Sequence, residues 1–248
     1  MVQRTHRAGS HAAHLYSDSE SLCAVVAEFA RQALADGKAV LLLATPQHTE
    51  MTLEHLETLG VDVADLCDSG RIQCHDAFRL LEYIMDGEQP DRIIFDGLVC
   101  DALTRINERR HAGIAVFGEL VNVLCERGRA DAAELLEQWW NALIEHYGLA
   151  LLCGYRADPL DDDAHACMAM ACRTHGQVTV EDERGLHESL NAALREHFPH
   201  GDGEALRATL AERAGGPGLD SSAAAIIGLR QVMPQVADSV LASARRWV

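Results

Sequence analysis

Lysine is almost absent from this 248-residue chain: of its 21 Lys and Arg residues, only Lys38 is a lysine. Positive charge of any kind is scarce, because 38 Asp and Glu residues outweigh it and give a formal net charge of −17. A surface this acidic repels phosphate backbones and anionic lipid, which argues against direct nucleic-acid binding and against a membrane face. Long apolar runs are also missing: no stretch approaches the roughly 20 apolar residues that span a bilayer. The opening residues Met1 to Ser10 contain no apolar signal segment. A cytoplasmic protein is therefore expected.

The eight cysteines, at 23, 67, 74, 100, 125, 153, 167 and 172, show no Cys-x-x-Cys spacing. In a chain large enough to fold without staples they are expected to be reduced, mostly buried thiols. What is present is an ordinary globular balance, 48% apolar and 24% charged, sufficient for one sizeable core.

Short apolar runs alternate with segments of helical period from residue 11 to 180, the pattern of repeated β-α units. Strands are expected at 14–16, 39–44, 71–75, 92–96, 113–117, 149–153 and 177–180. Thr45 followed by Pro46 marks a helix start, and Gly60 marks its end. A helix over 76–86 would turn Phe78, Leu81 and Met85 inward, and 98–110 is expected to be helical. Asp131 with Glu134 has the form of an acidic capping box, opening a helix that buries Trp139 and Trp140. Residues 185–248 hold three expected helices, broken by Pro-His-Gly-Asp-Gly at 199–203 and Gly-Gly-Pro-Gly at 215–218.

This alternation suggests a nucleotide-binding ATPase, but the phosphate loop is absent. A triphosphate cradle needs glycines, a lysine and a Ser/Thr for magnesium. After the first strand the chain offers Ser17-Asp18-Ser19-Glu20-Ser21, with two carboxylates and no glycine or lysine. Ile93-Ile94-Phe95-Asp96 has the form of a strand ending in a magnesium-seeking aspartate, but turn and cap preferences are the preferred explanation of that aspartate.

Other groupings are weighed in the same way. His165-x-Cys167-x4-Cys172-x2-His175 has ligand chemistry but poor spacing, because residues two apart on a helix diverge, so no metal site is expected. No nucleophile stands at an elbow or a helix start, so no Ser-His-Asp or Cys-His set and no catalytic residue is expected. His14, His48, His75 and His175 fall at or near strand ends, where residues of different β-α units gather. Cys153 and Tyr155 end a continuous apolar strand. Glu119 would sit in the first turn of a helix, where capping accounts for it. Glu137 and Asn141 are i,i+4 beside Trp140.

The succession His14-x-Tyr16, Ala44-Thr45-Pro46-x-His48, Gly60-Val61-Asp62, Asp76-Ala77, Phe117-Gly118-Glu119, Leu136-Glu137-x-x-Trp140-Asn141, Leu152-Cys153-x-Tyr155 and Cys172-x-x-His175 resembles the MEDS (methanogen/methylotroph DcmR sensory) domain. The resemblance implies an α/β fold of the RecA/KaiC-like kind, a three-layer α/β/α with a mostly parallel sheet and no phosphate loop. It also implies a sensory role, with hydrocarbon derivatives among the ligands. Leu120 and Arg156 depart from the family pattern, which has methionine after Gly-Glu and proline after Cys-x-Tyr. The expected organisation is a flexible N-terminus at 1–11, a sensory domain at 12–182 and a helical extension at 183–248.

These features lead to a non-enzymatic sensory module that binds a small ligand of unknown identity and relays to a signalling partner. Its expected ligand-binding residues are His14, Tyr16, His48, Glu119, Trp140, Asn141, Cys153, Tyr155 and His175. No cofactor is specified. Two alternatives stand beside it: a degenerate RecA/KaiC-like ATPase using Asp96 and Glu119 with magnesium, and a scaffold that dimerises through its C-terminal helices.

Overall fold

The computed structural model describes residues 7–109, 111–215 and 221–247. Residues 1–6 of the expected N-terminal segment, Arg110 and residues 216–218 of the second tail break lie outside the described residues. The fold is α/β, built on a six-stranded, mostly parallel sheet flanked by helices. Its strands are β1 (His11–Tyr16), β2 (Ala39–Ala44), β3 (Ile72–Asp76), β6 (Ile114–Gly118), β7 (Ala150–Arg156) and β8 (Gln177–Val180). They run in the order β3-β2-β6-β7-β1-β8. A two-stranded ribbon, β4 (Met85–Asp86) with β5 (Gln89–Pro90), stands apart from it. The chain divides into two compact units, one of residues up to Ala12 with Asp18–Tyr155, the other of Ala13–Ser17 with the chain from Arg156 onward.

In the first unit the central strands are continuous apolar runs because both faces are covered. β2 and β6 are buried throughout, and β2 pairs in parallel with both β3 and β6. The register places Phe117 opposite Leu42 on one side and Leu152 on the other. The carboxyl ends of β2 and β6 consequently finish level, Leu43 facing Gly118. α1 (Ser19–Ala35) follows β1, and the Asp18 carboxylate caps it. α2 (Pro46–Thr58) starts as expected, with Thr45 as cap and Pro46 in the first turn. α3 (Val63–Asp68) and α4 (Ala77–Ile84) flank β3, and Asp76 caps α4. α6 (Leu120–Glu126) and α7 (Ala130–Tyr147) lie between β6 and β7, and α7 ends on Gly148 in a left-handed conformation that a side chain would oppose.

Four expectations change here. Residues 92–96 are not a strand but the start of α5 (Arg92–Glu108). Asp91 accepts from the Ile93 and Ile94 amides, and Arg92 pairs with Asp96 one turn on, at 2.7 Å. A run of Ile-Ile-Phe fits either element by hydrophobicity. Ile93, 83% exposed, has no core to enter, whereas Phe95 packs against Trp139 and Trp140. Asp96 therefore stands on a helix beside Arg92 rather than at a strand end. Phe78 is exposed beneath the Arg127 guanidinium instead of buried. The Asp131–Glu134 capping box does not form, because α7 begins one residue before Asp131 and its cap position, Arg129, makes no side-chain cap bond. β1 starts at His11, three residues ahead of the expected strand.

In the second unit, the Ala13–Ser17 end of β1 lies between two chain segments: the Tyr16 carbonyl accepts from the Ala157 amide and the Leu15 carbonyl from the Glu181 amide. α8 (His165–Thr174) leads to β8, and four helices follow: α9 (Glu183–His197), α10 (Gly203–Gly215), α11 (Ser222–Val232) and α12 (Pro234–Ala244). Three were expected; Pro234 divides the last in two, since proline starts a helix but cannot continue one. The Glu183 carboxylate accepts from the Ser222 amide at 2.8 Å, tying α9 to the start of α11.

Six cysteines are free thiols, of which Cys23, Cys153 and Cys172 are buried and Cys67 and Cys74 exposed. Cys125 and Cys167 are not free thiols, against the expectation that all eight are reduced. Among the described residues no helix is long and apolar enough to cross a membrane.

Gly228 sets the approach of α11 to α10, because a Cβ there would overlap the Leu210 carbonyl. Gly228→Ala is expected to lower stability by about 2 kcal/mol, a typical overpacking loss, measured by urea unfolding. A change within about 0.5 kcal/mol, the range of ordinary surface substitutions, would contradict this packing.

Candidate functional site

The loops after β1, β2 and β6 carry a chain of three polar side chains. Glu119 is fully buried. Although it occupies the cap position of α6, it makes no side-chain cap bond. Its Oε2 instead accepts from the Thr45 amide at 2.9 Å, and its Oε1 lies 2.6 Å from His48 Nδ1. His48 Nε2 is 2.9 Å from Ser19 Oγ. Capping, the sequence-based explanation of Glu119, is thus replaced by a cross-link between loops. A buried carboxylate needs such fixed donors, because burial without them costs several kcal/mol.

Serine, histidine and carboxylate in that order are the parts of a nucleophilic relay, a set that the sequence does not announce. Its members come from three separate β-α units, so no local motif contains them. Ser19 does stand in the first turn of a helix, the context found missing from the sequence. It lies between Asp18 and Glu20 in the chain, whose charges oppose a developing oxyanion. Asp18 also takes the Ser21 amide at 2.9 Å.

A second buried network belongs to β1, α7 and β7. His11 Nδ1 lies 2.9 Å from Asn141 Oδ1, and His11 Nε2 lies 3.1 Å from Glu137 Oε2 and 3.5 Å from Cys153 Sγ. The Tyr155 hydroxyl donates to Glu137 Oε1. Glu137 is fully buried, and His11 and Cys153 are nearly so. Burial, with the Glu137 charge, holds the Cys153 thiol and the Tyr155 phenol well above their ordinary values. The ligand atoms of His11, Glu137 and Cys153 lie within 4.8 Å of one another.

Of the nine sequence-derived site residues, His48 and Glu119 thus meet in one network, and Asn141, Cys153 and Tyr155 in another. Trp140 is buried next to Asn141, edge-on to Phe95 at 5.5 Å, as part of the core. His14, Tyr16 and His175 belong to the second unit and are buried. His14 Nδ1 is 2.9 Å from Thr179 Oγ1, and His175 Nδ1 is 3.0 Å from the Ala171 carbonyl. His75 is exposed on β3. Among the described residues, His165, Cys167 and Cys172 form no metal-ligating cluster.

Sequence reasoning missed His11, Ser19 and the central place of Glu137. An i,i+4 partner of Asn141 was visible in Glu137. His11, by contrast, is joined to the strand only through Ala12 and Ala13, which carry a weak strand signal.

The second unit also holds a cavity of about 320 Å³ at the carboxyl ends of β1 and β8. Leu15, Leu160, Val180 and Leu186 form apolar walls, and Asp158, Glu181 and Asp182 make an acidic rim. Strand alternation turns Leu15 and Ser17 toward it, in place of His14 and Tyr16. Each rim carboxylate also holds backbone: Glu181 accepts from the Ser17 amide, Asp182 from Gly185 and Asp158 from Leu160.

Burial lowers the His14 pKa from 6.5 to about 4, with Glu181 opposing the shift. The unfolded chain takes up a proton near pH 6.5 that the folded chain refuses until about pH 4. The stability His14 confers is therefore full above pH 6.5 and lost as pH falls toward 4. Between pH 7.5 and pH 5 this loss is expected to be about 2 kcal/mol. Urea unfolding of the wild type against His14→Gln should show that drop in the wild type alone; equal pH slopes would contradict it.

Two comparisons with known proteins complete the picture. No curated protein matches the chain. A family model, that of the methanogen/methylotroph DcmR sensory domain, matches residues 10–176, which take in both networks. By that match over most of its length, the chain belongs to the MEDS family of sensory domains.

Proposed function

We propose that this protein is a non-enzymatic sensor whose ligand enters the strand-end cavity of the second unit, and whose C-terminal helices carry the response to a protein partner. The observation that carries this reading is the cavity: about 320 Å³, apolar walls and an acidic rim at the carboxyl ends of parallel strands. Ligands of open α/β sheets bind at that end, in pockets of about 300–1,000 Å³ with a few placed polar groups. Carboxylates on the rim favour a small molecule with an apolar body and a cationic or hydrogen-bond-donating end, and oppose anions. The occupied donors near the first loop point the same way. Asp18 holds the Ser21 amide and Glu181 holds the Ser17 amide, so the chain's own carboxylates stand where a phosphate would seek its contacts.

A sensor needs only differential binding. A difference of about 1–3 kcal/mol between two states of the helices changes a partner's affinity about 5- to 150-fold. Val232, half exposed at the end of α11, and Trp247, well exposed just beyond α12, offer apolar contact to such a partner.

Calorimetry with butylamine, butanol and butyrate tests the cavity. The amine and the alcohol are expected to bind and be recovered unchanged, butyrate is expected not to bind, and Leu186→Trp, which fills the cavity, should weaken binding at least tenfold. Binding of butyrate in preference to the amine, binding that Leu186→Trp leaves intact, or no binding of any of the three would contradict the reading.

A further inference from the structure

We infer that His11, Glu137 and Cys153 form a binding site for a divalent transition-metal ion of the zinc class. This site lies within the first unit and does not depend on the ligand assigned to the cavity. Its donor set is one imidazole, one carboxylate and one thiol, the three side-chain types that zinc accepts. One donor atom from each of the three lies within 4.8 Å of the other two, and His11 Nε2 faces both Glu137 Oε2 and Cys153 Sγ.

The spacings fit a tetrahedral centre. Zinc bonds of about 2.0–2.1 Å to nitrogen, 2.0–2.2 Å to oxygen and 2.3 Å to sulfur give ligand-to-ligand edges of about 3.3 Å for N···O and about 3.6 Å for N···S. The corresponding distances here are 3.1 Å for His11 Nε2 to Glu137 Oε2 and 3.5 Å for His11 Nε2 to Cys153 Sγ. Both edges that His11 makes thus match a tetrahedral centre to within about 0.2 Å, and the carboxylate and thiol donors lie within 4.8 Å of each other.

The surrounding groups hold each ligand in the orientation that coordination needs. Asn141 Oδ1 accepts from His11 Nδ1–H at 2.9 Å, which directs the Nε2 lone pair toward Glu137 and Cys153. The Tyr155 hydroxyl donates to Glu137 Oε1, which leaves Oε2 as the ligand oxygen. Two different elements, α7 and β7, supply these supports, and each also supplies a ligand. The arrangement is thus anchored on regular structure rather than on loops, as precise ligand geometry demands.

The competing account is a buried ion pair of protonated His11 with Glu137, and the experiment separates the two. Full-length protein stripped with a chelator and reloaded with Co(II) should take up one ion per chain and show thiolate-to-cobalt charge-transfer absorption in the near ultraviolet. Zn(II) should displace it. Cys153→Ser should abolish that absorption, and Asn141→Ala, which touches no ion, should weaken affinity at least tenfold, both with unchanged far-ultraviolet circular dichroism. If the wild type takes up no stoichiometric ion, or if the absorption survives in Cys153→Ser, the ion-pair account stands and the metal site does not. The wild-type titration decides the matter alone should a variant fail to fold.

Discussion

A carboxylate shut away from water at the meeting point of three loops is the constraint to which the first unit answers. Glu119 has no solvent exposure, yet it sits where β6 ends and a helix begins, a place that normally faces solvent. Its two oxygens are met by the Thr45 amide and the His48 ring, and the ring reaches on to Ser19. Its own amide donates to the Leu43 carbonyl. The ends of β2 and β6 and the starts of α1 and α2 are thereby held by one residue.

Glu137, on α7, repeats the solution against β1 and β7. It too is fully buried, and it too is matched by a histidine, with a phenol on its second oxygen. Two buried acids each facing a buried histidine make poor devices for raising stability, since apolar residues of the same size often serve as well. Such pairs are better suited to fixing one arrangement of side chains, or to holding something that enters between them. The second unit differs in kind: its cavity is apolar inside and acidic at the rim, with every rim carboxylate also holding backbone in place.

Much of the fold was legible because the signals are local. β2, β6 and the first four residues of β7 are apolar without interruption, as strands covered on both faces must be, and Thr45-Pro46 announces a helix within two residues. The misread strand at 92–96 shows the limit. Ile-Ile-Phe fits either element, and the choice fell to the Asp91 cap and the Arg92–Asp96 pair, features that hydrophobicity ignores. Of the buried networks, the sequence offered some of the members but none of the pairings. His48, Glu119, Cys153 and Tyr155 could be picked out at strand and helix ends, and Asn141 as the i,i+4 partner of Glu137. That Glu119 would reach back to Thr45, or that His11 would meet Glu137 and Asn141, depends on contacts between residues far apart in the chain, which periodicity does not encode.

The role of Glu119 as the tie between these loops is tested most directly by a double-mutant cycle on His48 and Glu119. It needs the unfolding free energies of the wild type, His48→Gln, Glu119→Gln and the double variant. A buried, charge-assisted bond of this kind predicts a coupling energy of about 2 kcal/mol, the double variant losing less than the two single losses combined. Additivity within about 0.5 kcal/mol, the behaviour of independent sites, would contradict it.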